Sequence, residues 1–121
     1  MTSHTMERPA TTTPPIYSTE DIPSDEKIVY EHYFIPGTNV DYFVLEYDET
    51  NDEIFCFAEL IQGCGELGYS SLKEMEQVKV SVPVRIEGIT LYMEVGIERD
   101  AHWSPIPLGK ALELRSKRSM D

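Results

Sequence analysis

Three runs of β-branched and aromatic residues, each closed by a turn, set the tightest limits on how this chain can fold. Ile28-Val29-Tyr30-Glu31-His32-Tyr33-Phe34-Ile35 ends at Pro36-Gly37, and Asp41 to Tyr47 follows after a short loop. Asp48-Glu49-Thr50-Asn51-Asp52 then separates that run from Glu53 to Leu60. Such residues suit a pleated, half-buried surface, and a short turn-prone break between two apolar runs predicts an antiparallel meander.

Beyond Leu60 the pattern changes. Gly63, Gly65 and Gly68 end the third strand and predict a loop. Ser71 stands three residues before Glu74, the spacing of a capping box, and Leu72, Met75 and Val78 share one helical face. A short helix is therefore expected at about Leu72 to Lys79. Val80, Val82, Val84 and Ile86 then alternate with Ser81, Pro83, Arg85 and Glu87. Glu87-Gly88 offers a turn into Ile89 to Val95, and Pro83 marks the first of these two strands as an edge. The fold class expected is α+β: a single small antiparallel sheet with one short helix packed on it. Residues 1–13, rich in Thr and Pro, read as a disordered tail. Residues 14–112 read as the one domain, and 113–121 as a basic C-terminal tail with a helical turn or two from Lys110.

The 121 residues carry 22 acids against 10 Lys and Arg, a formal net charge of −12. From Glu20 to Glu66 the acids are opposed by Lys27 alone. That field repels nucleic acid and anionic membrane and attracts basic protein surfaces. No apolar run approaches the roughly 20 residues of a membrane span, and no secretory signal opens the chain, so a cytoplasmic location is expected. Cys56 and Cys64 read as free thiols. His4, His32 and His102 lack ligand spacing to them, so neither a metal nor another cofactor is expected.

The strings Glu66-Leu67-Gly68-Tyr69 with Ser71-Leu72 and Glu74, and Glu98-Arg99-Asp100 with Trp103, Pro105 and Pro107-Leu108, together with Pro14-Pro15-Ile16-Tyr17, carry a resemblance. The chain resembles the bacterial family called domain of unknown function 2958, over Pro14 to about Leu112. The resemblance implies a short protein of the kind often carried on plasmids and other mobile elements. Two departures from the family pattern stand out: Val80 to Glu94 reads as an inserted hairpin, and Ser70 replaces the usual aromatic residue.

Several residues invite a functional reading. On a strand, Glu98 and Asp100 share a face with Arg99 opposite. With Glu66 and Tyr69 they suggest a carboxylate and guanidinium pocket for acid–base chemistry or ligand binding. The competing structural reading is a salt-bridge network that fixes the Gly65 loop and the Pro-rich segment, with Arg99 as a two-pronged clamp. Trp103, the single tryptophan, is either an exposed partner anchor or part of the core. Ser70-Ser71-Leu72-Lys73 matches a serine acyl-enzyme string, but the cap explains Ser71 and no companion motif is present. Asp41, Glu46, Asp48, Glu49, Asp52 and Glu53 form a candidate acidic surface.

The function expected is therefore that of a non-enzymatic acidic accessory protein that binds a basic protein. One form of it mimics nucleic acid against a defence or DNA-binding protein. The alternative is a small enzyme or ligand-binding module at Glu66 and Glu98 to Asp100. Direct contact with nucleic acid or membrane is not expected.

Overall fold

The computed structural model describes residues 6–61 and 63–119. Strands take up about 43% of the chain and helices about 17%, so the protein is mostly β. A 3₁₀ turn at Ser24–Glu26 leads into β1 (Ile28–Val29), β2 (Glu31–Phe34), β3 (Asp41–Asp48), β4 (Glu53–Glu59) and β5 (Gly65–Ser71). Helix α1 (Leu72–Glu76) follows, then β6 (Lys79–Ile86), β7 (Ile89–Gly96), β8 (Glu98–Arg99), β9 (Ile106–Pro107) and α2 (Leu108–Ser119).

The central sheet has the order β5-β4-β3-β2-β8, and β1-β9 and β6-β7 form two separate two-stranded sheets. All of these pairings are antiparallel. The meander of β2, β3 and β4 matches the sequence expectation. The single small sheet with one short helix does not. There are three sheets, and besides the expected short helix α1 on one face of the central sheet, a longer C-terminal helix, α2, covers the other.

Three local features account for the difference. The glycine-rich stretch is not a loop but the edge strand β5, with Gly65 opposite Glu59 and Gly68 opposite Cys56. A Cβ at Gly65 would run into the Phe57 ring, so this glycine permits close packing within the sheet. The run from Ile28 breaks at Tyr30, because β1 turns away to pair with β9 while the Tyr30 N–H still donates to Val44 O at 2.9 Å. Finally, Leu108 and Ala111 are buried on α2 with Arg115 one turn on. This is the spacing of a core-facing helix, which the charges of Lys110, Lys117 and Arg118 conceal.

Both faces of the sheet are covered, which fits the almost unbroken burial of β3. One face packs Tyr33, Val44, Ile54 and Cys56 against Leu72 and Met75 of α1 and against Ile97. The other packs Phe43 and Leu45 against Val29, Leu108 and Ala111, with Trp103 and Phe55 at its margin. Helix α1 begins as expected: Ser71 Oγ accepts the Glu74 N–H at 3.3 Å. It is shorter than expected, ending at Glu76.

Residues 6–13 of the expected disordered tail are packed on the sheet. Residues 1–5 lie outside the described residues, but Met6 is only 2% exposed within the first core face. Arg8 forms a two-pronged bond to Asp52 at 2.7 and 2.8 Å and also reaches Glu76. The Tyr33 hydroxyl donates to Glu7 O at 2.6 Å, and the Ala10 N–H to Glu31 Oε2 at 2.8 Å. Residues 6–13 thus form a strap across the sheet. No helix among the described residues is long and apolar enough to cross a membrane.

Candidate functional site

The sheet order separates the residues of the expected carboxylate pocket. Glu66 and Tyr69 lie on β5, whereas Glu98 and Arg99 lie on β8. These are the two outer strands, so four spacings of about 4.8 Å put roughly 19 Å between them. Glu98 is exposed. Arg99 is a clamp, donating through Nε to Glu7 Oε2 at 3.0 Å and through Nη1 to Glu31 Oε1 at 3.3 Å. A pocket joining Glu66 to Glu98 and Asp100 is not formed, and the Arg99 salt bridges go to Glu7 and Glu31, not to the Gly65 segment.

A different constellation stands in its place, centred on His32 of β2. Its Nε2 lies 2.6 Å from Asp41 Oδ1 and its Nδ1 lies 3.0 Å from Asp100 Oδ2. Arg115 Nε donates to Asp41 Oδ2 at 2.6 Å, and Arg118 Nη2 reaches the same oxygen at 3.0 Å. Arg115 also bonds Glu59 and the Asn39 carbonyl. Burial alone would raise the Asp41 carboxyl, but hydrogen bonds from His32 and Arg115 hold it below the ordinary carboxylate value. Asp100 is lowered in the same way, against burial, by His32 and by the His102 N–H.

A carboxylate only accepts hydrogen bonds, so two of them on one imidazole occupy both ring nitrogens. Trp103 closes the group: its Nε1 donates to Val29 O at 3.0 Å, and its ring centroid lies 5.0 Å from that of His32. It belongs to the core margin and is not an exposed anchor. This network ties α2 to the sheet. The Arg115 spacing on α2 was its one legible signal.

The candidate acidic surface divides. Asp41 and Glu46 are each 2% exposed, so they are not part of any surface. Glu46 follows a bulge in β3 and stands opposite Phe55. Its carboxylate accepts the Tyr17 N–H at 2.8 Å, the Thr19 N–H at 3.0 Å and the Thr19 hydroxyl. Buried Lys27 in turn donates to Thr19 Oγ1 at 3.0 Å. Asp52, at φ 55°, is held by Arg8. Asp48, Glu49 and Glu53 remain accessible around the β3–β4 turn, where they line a cavity of about 550 Å³ with Thr13, Tyr17 and Tyr47.

The most exposed apolar surface is on the β6–β7 hairpin. Its base packs on the core through Val80, Val82 and Val95. Toward the tip, Ile86, Ile89, Leu91, Tyr92 and Met93 are all at least half exposed, and Tyr92 reaches 71%. The turn at Glu87 and Gly88, with φ of 51° and 81°, makes the tight reversal expected from the sequence. Among the described residues no group of three or more His, Cys, Asp and Glu is placed to hold a metal ion.

A family model described as protein of unknown function (DUF2958) matches residues 18–112, and the chain belongs to this family. No curated protein and no solved structure matches the chain.

Proposed function

We propose that the protein is a non-enzymatic accessory protein that acts by binding a basic protein partner, using the β6–β7 arm as its apolar contact. The observation that carries this reading is the arm itself. Five large apolar side chains stand in solvent on a two-stranded hairpin that no other strand among the described residues pairs. Exposed apolar patches of this kind mark interaction surfaces, because leaving them in water has no structural benefit. The partner's charge follows from the net −12 of this chain. A basic surface would be drawn to the acids while apolar contacts hold it.

A cytoplasmic location fits free Cys56 and Cys64. The narrower form, mimicry of nucleic-acid phosphates, rests on Asp48, Glu49 and Glu53, since Asp41 and Glu46 face inward.

The test is capture of partners from a bacterial lysate at low and high salt, with the native chain beside an Ile89→Ser, Tyr92→Ser arm variant. The reading expects a basic protein that is held by the native chain, lost by the variant and weakened by salt. Equal capture by both chains would overturn the role of the arm.

A further inference from the structure

The central sheet ends on one side in β8, two residues long, and on the other in β5, which runs for seven. Strand β5 pairs β4 over its whole length without a shift of register, and no strand among the described residues pairs its outer side. The Leu72 N–H donates to Asp52 O at 2.9 Å, so these two residues form a hydrogen-bonded pair that continues this ladder. Bonded pairs then alternate back along β5 through Ser70, Gly68 and Glu66. Gly65, Leu67, Tyr69 and Ser71 therefore turn their backbone N–H and C=O groups outward.

Open edges of this length are ordinarily guarded by proline, lysine or a bulge. The β6–β7 arm has such a guard. Ile86 and Ile89 flank its two-residue turn as a bonded pair, which puts the Pro83 nitrogen on the outer side of β6. Strand β5 has none of the three. Its Leu67 and Tyr69 are exposed, next to Phe57 and Phe55 across the strand pair, and the Tyr17 ring lies 6.1 Å from that of Tyr69. Gly68 is a further sign. A Cβ there would meet nothing within 4 Å and its φ is not positive, so the single chain has no need of a glycine at this position. A glycine inside a strand marks the close approach of another backbone.

We propose that β5 is a self-association edge, to which a second copy of this chain adds its own β5, antiparallel, about a two-fold axis through Gly68. In that register all seven residues are paired, and the strand is complementary to itself. Leu67 lies against Tyr69 of the second copy, an aliphatic–aromatic pair that the axis repeats. Glu66 stands opposite Ser70 of the second copy, whose hydroxyl can donate to the carboxylate, so no like charges face one another. The two Gly68 residues form the central non-bonded pair, where Cα atoms come within about 4.5 Å. This contact goes beyond the reading of a basic partner and has the opposite salt dependence. Each copy carries a net −12, so two copies repel and salt tightens the pair.

The test is analytical ultracentrifugation of the whole chain over a range of protein concentrations, at low and at high salt. A monomer–dimer equilibrium that salt strengthens is expected. Gly68→Glu sets two carboxylates face to face at the axis and should weaken the dimer about tenfold or more, as should Gly68→Lys with two ammonium groups. Mixed in equal amounts, the two variants should pair with each other, because opposite charges then meet. Open space at position 68 lets both keep the native amide spectrum. In the native chain the Leu67 and Tyr69 amides should gain protection from hydrogen exchange as concentration rises, whereas those of Glu66 and Ser70 are protected in the monomer too.

A chain that is monomeric at every concentration and salt overturns the proposal. So does a dimer that both folded Gly68 variants leave intact, or one lost by Ile89→Ser with Tyr92→Ser, which would place the contact on the arm. Failure of the folded variants to pair on mixing overturns the axis through Gly68.

Discussion

Asp41 Oδ1 lies 2.6 Å from Nε2 of His32, with the two side chains 3% and 7% exposed. The same carboxylate receives Arg115 and Arg118 through its other oxygen. One acid on the first residue of β3 therefore anchors β2 on one side and the C-terminal helix on the other.

Asp41→Asn keeps the shape of that acid and removes the buried negative charge that Arg115 and Arg118 share. Breaking one member of a buried ion network costs about 3 kcal/mol or more. The urea midpoint of unfolding should fall accordingly. Asp48→Asn, on the exposed turn, should change stability by no more than about 0.5 kcal/mol.

Acid should unfold the protein by way of the same group. Asp41 and Asp100 have folded pKa values lowered from the ordinary 3.8. The unfolded chain then binds protons more readily, so stability is full above the unfolded value and is lost as pH falls through it toward the lower folded one. Urea midpoints measured from about pH 6 down to pH 2 should show this slope. The double variant Asp41→Asn, Asp100→Asn should flatten it.

Met6 tests the packing of the strap formed by residues 6–13. At 2% exposure among Tyr33, Tyr47 and Met75, its replacement by Ala should cost about 2–4 kcal/mol. A residue in a disordered segment would cost nothing measurable by thermal or urea unfolding.

The two thiols should differ sharply. Burial pushes the Cys56 thiol up to about 11, and the side chain is 1% exposed, whereas Cys64 is open to solvent. Ellman's reagent at about pH 8 should titrate one thiol quickly in the native protein. The second should appear only at the rate of unfolding or in denaturant. Two fast thiols would contradict the packing of β4.

The sequence by itself determined those parts of the protein whose cause is local. The β-branched and aromatic runs of β3 and β4, the alternation in β6, the Ser71 cap and the Glu87-Gly88 reversal each depend on a few neighbouring residues, and each was legible. Only the tertiary structure decided which face every charge would meet. Asp41 and Glu46 read as surface acids until Arg115 and the Tyr17–Thr19 loop arrive from distant parts of the chain. Gly65 reads as a loop residue until the Phe57 ring lies against it.

The same holds for the candidate sites. Glu66 and Glu98 look like partners in a linear string, yet strand order, which no local propensity encodes, sets them on opposite edges. The cavity at the β3–β4 turn draws its two walls from segments about thirty residues apart. The physical reason is one of range: backbone propensity acts over a turn or a strand, while burial and ion pairing act between segments that only folding brings together.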